Sequence, residues 1–217
     1  SVITMIIWSF AFLRMGTVGL VAQLFGKSDY REIVKTLIRN LIIALVIATV
    51  IILLKPGIIH LTQTFFATSI ETQALINTYI STRIFSIPAE LIIYILIGFY
   101  LGLQKTKISS LLIILFSTLN ITLSAFFVLS LNLNILGVAL GTLISSYITV
   151  FLFLIYTYNF IVKNFQIIPK FEKLIVPHKL FKLFNINFDI FVRTFFLTFS
   201  FLWFTYLGSK LGEDYLA

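Results

Sequence analysis

The sequence predicts an all-α, polytopic membrane helix bundle with six transmembrane helices. Three observations predict it. Six apolar stretches, at residues 2–25, 37–54, 84–103, 109–131, 135–161 and 190–208, fill most of the 217 residues. A helix rises about 1.5 Å per residue, so about 20 apolar residues cross the hydrocarbon core of a bilayer. Mean hydropathy is +1.07 and only 11% of residues are charged, outside the range of soluble domains. The third observation is the placement of charge. Lys27, Arg31, Lys35 and Arg39 fall in the first connection, Lys105 and Lys107 in the third, and Lys163, Lys170, Lys173, Lys179 and Lys182 in the fifth. The alternate connections hold Lys55 and Glu71. Basic loops stay cytoplasmic, so the alternation gives six crossings, with the first running from outside to inside.

The elements follow in order. The first span ends at Gly26, and Ser28 or Asp29 caps the next helix. Lys55-Pro56-Gly57 ends the second span. Residues 58–76 form a polar, Thr-rich outer connection with room for a short surface helix. The third span starts near Asn77 and carries Arg83, Pro88 and Glu90; its proline removes a backbone hydrogen bond and kinks it. Gly98 and Gly102, and later Gly137 and Gly141, have the small-xxx-small spacing that lets helices approach closely. The fourth span ends at Ser130 and turns through Asn132–Asn134 into the fifth. Residues 162–188, with Pro169, Pro177 and five lysines, separate five closely spaced helices from a sixth. They read as a linker between two lobes, able to hold an amphipathic helix on the inner membrane surface. Ser1 abuts an apolar run with no basic start or cleavage site, which is not a signal peptide. The last residues stop just beyond a span, so the chain is expected to be a fragment of a longer, transporter-sized protein.

The net charge of +8 is explained by loop topology, and no nucleic-acid partner is expected. Absence of cysteine removes disulfides, thiolate zinc sites and thiol catalysis. His60 and His178 both lie outside the spans, so no buried metal site is expected. No phosphate-binding glycine loop, His-Glu-x-x-His or Gly-x-Ser-x-Gly occurs. The chain is not expected to be an enzyme or to hold a cofactor; energy for transport must come from an ion gradient or a partner.

Ionisable residues inside a span are costly, so they are functional candidates. Arg14 lies in the first span, where the plain reading is a hub of inter-helix hydrogen bonds. Arg83 and Glu90 are seven residues apart, about 10 Å along the axis, and are expected to pair only through a water or a third helix. Arg83 alone would snorkel toward the outer headgroups; Glu90 reads equally as a protonatable transport residue or a solvated cavity residue. Asp189 and Arg193 have the acid-first i, i+4 order of a helical ion pair and read as an interface anchor. In the fourth span Asn120 and Ser124 share a face, which suits helix-to-helix hydrogen bonding.

Beyond these patterns, the residues carry a resemblance. Phe12-Leu13-Arg14-Met15-Gly16-Thr17, then Ala22-Gln23 and Gly26, resembles the second helix of the multidrug and toxic compound extrusion (MATE) family, in its DinF-like branch. Ile84-Phe85-Ser86-Ile87-Pro88-Ala89, Tyr94, and Gly98 through Gly102-Leu103-Gln104 resemble the fourth. Asn120-Ile121 before Phe127-Val128 resembles the fifth, and Gly137-Val138-Ala139-Leu140 with Thr142 the sixth. Asp189-Ile190-Phe191-Val192-Arg193-Thr194, with Leu207-Gly208 and Leu211-Gly212, resembles the seventh.

The resemblance implies twelve helices in two six-helix lobes, of which this sequence covers helices two to seven. Residues 1–161 would belong to the N-terminal lobe, 162–188 to a cytoplasmic linker, and 189–217 to the first helix of the C-terminal lobe. It implies secondary-active efflux of cationic or amphipathic small molecules against proton or sodium flow, by alternating access, in the plasma (inner) membrane. The rest of the same polypeptide and the lipid bilayer would be its partners. Glu90, Tyr94, Asn120, Ser124 and Thr142 would line the lobe cavity. Related sequences commonly read Asn-x-x-x-Asp in the fifth helix. Here the acid's position is Ser124, which cannot release a proton near neutral pH, so Glu90 is the candidate replacement. Two alternatives remain: a lipid-linked-sugar flippase of the same superfamily, binding a pyrophosphate through Arg14 and Arg83, and a non-functional truncated remnant.

Overall fold

The computed structural model describes residues 2–66 and 69–167, with a few positions between 192 and 200. Among the described residues five helical stretches are long and apolar enough to cross a bilayer. The expected sixth span, at 190–208, lies largely outside the described residues.

The first span is broken. Helix α1 (Val2–Ser9) meets α2 (Phe12–Gly26) through a tight turn, with the Phe10 and Ala11 amides donating three residues back to Ile7 and Trp8. No proline or glycine marks this break. α2 ends at Gly26, but the left-handed residue that stops it is Ser28 (φ 56°). The Asp29 amide closes the end on the Leu24 carbonyl at 3.0 Å, the arrangement usually made by glycine.

Helix α3 spans Tyr30–Leu53 and is capped by Asp29, whose carboxylate accepts the Glu32 amide at 3.0 Å. This early start shortens the first basic loop. Arg39, expected in it, is instead buried in the third turn of α3, where its guanidinium donates to Glu32 at 2.6 Å. Side chains lean toward a helix's N-terminus, so a long arginine seven residues after a carboxylate reaches it.

The expected outer connection is mostly helical. α4 (Lys55–Phe66) begins one residue after α3, with Pro56 in the first turn, where an amide would lack a partner anyway. His60 sits in it. α5 (Ile70–Arg83) starts at a Ser69 cap, seven residues before the expected Asn77. A 3₁₀ turn (Ile84–Ser86) then leads into α6 (Ile87–Gly102). Pro88 explains the turn: it cannot donate to the Ile84 carbonyl, and the Ile87 amide takes that carbonyl instead. α7 (Thr106–Ala125) continues as a π-helical turn (Phe126–Ser130) to the expected end. A short hairpin with Asn132 at φ 53° opens α8 (Asn134–Phe165), which runs four residues past the expected 161.

α6 is the central helix. Leu91, Ile95, Leu96, Phe99 and Tyr100 on it are fully buried. α2 and α3 pack on one side; α7 and α8 pack on the other and most closely against each other. α7 turns Leu111, Ile114 and Ile121 outward. Lipid gives no hydrophobic drive between helices, so close packing decides. A Cβ on Gly98 would lie 2.6 Å from the Arg14 carbonyl oxygen and 2.9 Å from Thr17 Cβ; one on Gly102 would lie 2.7 Å from Val21 Cβ. Gly98→Val is therefore expected to part α2 from α6 and cost about 1–3 kcal/mol, read as a lower thermal midpoint in detergent.

Candidate functional site

Among the polar groups inside the described bundle, two hold the expected site residues, on different helix interfaces. The first joins α5, the 3₁₀ turn, α6 and α2. Measured from the lysine-rich ends of α2 and α6 (26 − 14 and 102 − 90), Arg14 and Glu90 each stand twelve residues up their helices. At about 1.5 Å per residue both are about 18 Å deep, near the middle of a ~30 Å core.

Arg83 and Glu90 pair directly, without a third helix. The Arg83 Nη1 donates both to Glu90 Oε1 and to the Ser86 hydroxyl. Ser86 in turn donates to the Arg83 carbonyl at 2.6 Å. Two features close the expected gap. The Glu90 side chain leans back toward Arg83, and Ser86, fully buried between them, supplies a second acceptor. The pair is largely withdrawn from water, with side-chain exposures of 8% and 12%, so Arg83 does not snorkel outward. One turn below Glu90, the half-buried Tyr94 presents its ring to Arg14, whose guanidinium carbon is 6.0 Å from the ring centroid. Arg14 thus meets α6 through a ring face rather than as a hydrogen-bond hub.

The second group joins α7 and α8. Asn120 donates to Ser145 at 3.5 Å, Ser145 to the Thr142 carbonyl at 3.0 Å, and Thr142 to the Val138 carbonyl at 3.1 Å. Ser124, one turn from Asn120, is pressed against Gly141. Its hydroxyl is buried and has no hydrogen-bond partner. Leaving such a group unpaired costs about 1–3 kcal/mol. Ser124→Ala is therefore expected to leave the bundle as stable or slightly more stable, measured by thermal unfolding; a clear loss would reveal a partner for the hydroxyl.

The structure thus splits the expected site. Glu90, Arg83, Tyr94 and Arg14 form one strip; Asn120, Ser124 and Thr142 form another. Tyr147 links them, donating its hydroxyl from α8 to the Phe85 carbonyl in the 3₁₀ turn at 3.0 Å. Asp189 lies outside the described residues, so its expected pairing with Arg193 does too. The sequence reading missed Ser86, Ser145 and Tyr147. It also missed Asn40, buried in α3, which donates to Thr17 at 2.9 Å while its Oδ1 has no partner. The repeated hydroxyls at 142, 145, 146 and 149, all buried on one face of α8, were a readable signal.

Comparisons with known proteins agree with a helical membrane bundle. The MatE family profile matches residues 1–126. The chain is 32% identical over 206 residues to DNA damage-inducible protein F of Escherichia coli (strain K12), covering 95% of this chain and 45% of that protein. It is 30% identical over 132 residues to the multidrug export protein MepA of Staphylococcus aureus (strain bovine RF122 / ET3-1), covering 60% of this chain and 28% of that one. The chain therefore spans less than half the length of these relatives. Its fold superposes on the outward-facing conformation of a multidrug resistance MATE family transporter of the MOP superfamily. The TM-score is 0.83 at 20% identity, over 95% of this chain and 46% of that one. A profile match over more than half the residues, on a bundle of this shape, means that the chain belongs to the MatE family.

Proposed function

We propose that this chain is part of a secondary-active exporter that moves amphipathic or cationic small molecules, coupled to inward proton or sodium flow. Residues 1–161 act as the N-terminal lobe, 162–188 as the connection between lobes, and 189–217 as the start of the second lobe. The protein works in the plasma (inner) membrane, together with the rest of the same polypeptide.

The observation that carries this reading is the acid held at mid-membrane depth. Glu90 is the one carboxylate in the interior of the described spans away from their ends, and an intramembrane charge persists where it has a role. With Ser124 unable to ionise near neutral pH, Glu90 carries coupling. Its neutralisation by a proton or competing cation frees Arg83 and changes how α5 and α6 sit on α2 and α8. The flippase reading is weaker, because Arg83 is already engaged by Glu90 and leaves only Arg14 for a pyrophosphate. The test is efflux of a cationic dye from proteoliposomes holding the full-length protein. Loss of dye accelerated by an imposed proton or sodium gradient supports the reading; gradient-independent retention contradicts it.

A further inference from the structure

At the lysine-rich end of the bundle, aromatic side chains from three helices turn toward one another around a space. α2 supplies Phe25, α3 supplies Tyr30, and α8 supplies Phe160 and Phe165. Tyr30 stacks on Phe165 with centroids 4.7 Å apart. Phe25 meets Tyr30 edge-on at 6.4 Å, and Phe160 meets Phe165 edge-on at 5.8 Å. The cleft they line is open to the surroundings and about 240 Å³ in volume, and Lys105 and Asn164 form its polar wall. Asn164 is fixed by its own bond to the Phe160 carbonyl at 2.8 Å. A neighbouring cavity of about 410 Å³ shares Tyr30 and Phe165 and adds Arg31. Asp29 also borders it, but its carboxylate is engaged on the Glu32 amide.

Aromatic rings at a membrane boundary ordinarily form a belt facing the headgroups. Here they face each other across an open cleft. Its walls are mixed, with ring faces beside the polar Lys105 and Asn164. They suit the glycerol and first carbons of a lipid, with the phosphate against a basic rim. Lys105 and Arg31 make no salt bridge among the described residues. Among the described residues Lys27, Arg31, Lys35, Lys105, Lys107 and Lys163 lie at or near this end, the end that the charge rule places against the anionic inner leaflet.

We propose that this cavity binds the headgroup of an anionic phospholipid of the inner leaflet. The site is separate from the Glu90 strip and does not depend on the efflux reading. Its test is native mass spectrometry of the full-length protein released from bilayers of mixed phosphatidylglycerol and phosphatidylcholine. The wild type retains phosphatidylglycerol preferentially. Lys105→Gln weakens that retention about fivefold, whereas Lys107→Gln, an exposed lysine outside the cavity, leaves it unchanged. Equal retention of the two lipids, or equal effects of the two substitutions, overturns the proposal. Release of the lipid by inorganic phosphate overturns it in favour of a free-anion site. A photoreactive side chain in place of Asn164 that labels residues 168–188 instead of lipid overturns it by showing that the chain itself fills the space.

Discussion

Replacing Arg83 by Met while Glu90 stays in place is expected to destabilise the lobe by about 3–5 kcal/mol. The cost comes from the group left behind. Glu90 lies on the central helix with 12% of its side chain exposed, paired with the Arg83 guanidinium. Without that guanidinium a carboxylate stands in low dielectric near mid-membrane depth. The companion substitution separates this cause from lost packing: Arg83→Met combined with Glu90→Leu is expected to recover most of the stability, because it removes both charges at once. Unfolding of the full-length protein, followed by heat or denaturant, reads both. If the single variant is as stable as the wild type, water reaches Glu90 freely and the pair is not a buried one.

The second large effect is expected at Gly141. A Cβ there would lie 2.2 Å from the Ser124 hydroxyl and 2.7 Å from both the Ser124 Cα and amide nitrogen. A hydroxyl can rotate away; a helix backbone cannot. Gly141→Val therefore pushes α8 off α7, at a cost near the upper end of the about 1–3 kcal/mol typical of overpacking. Ser124→Ala does not rescue it, because the backbone clashes remain. α7 is held chiefly by α8, with a smaller contact to α6, so the damage is expected to be local. Hydrogen exchange is expected to rise across α7 while α2 and α6 stay protected. Uniform loss of protection would mean that the five helices unfold as one unit.

Much of the bundle was legible in the sequence because membrane spans obey few rules. Apolar length marked the spans, loop lysines marked which ends lie together, and the four glycines marked the close seams that α6 makes with α2 and α8 makes with α7. Pro88 announced its kink because a missing amide has one local consequence. Other features rested on side-chain reach and tertiary context. Counting axial rise alone put Arg83 and Glu90 beyond direct contact; the lean of the Glu90 side chain and the bridging Ser86 hydroxyl brought them together. Arg39 read as a loop residue until the Asp29 cap started α3 early and Glu32 gave it a partner. The left-handed residue at the end of α2 fell on Ser28 rather than Gly26, and the break at Phe10–Ala11 had no sequence mark. The family pattern drew attention to Asn120, Ser124 and Thr142, yet it did not show that they and the Glu90 strip occupy different interfaces.

The central claim is that Glu90 couples ion flow to export. It is tested most directly by gradient-driven dye efflux from proteoliposomes of full-length wild type, Glu90→Gln and Glu90→Asp, with dye binding measured in parallel. The account predicts that Glu90→Gln still binds dye but loses acceleration by the gradient, and that Glu90→Asp retains part of it. Efflux by Glu90→Gln that follows the gradient as the wild type does would contradict the account and return coupling to residues elsewhere in the protein.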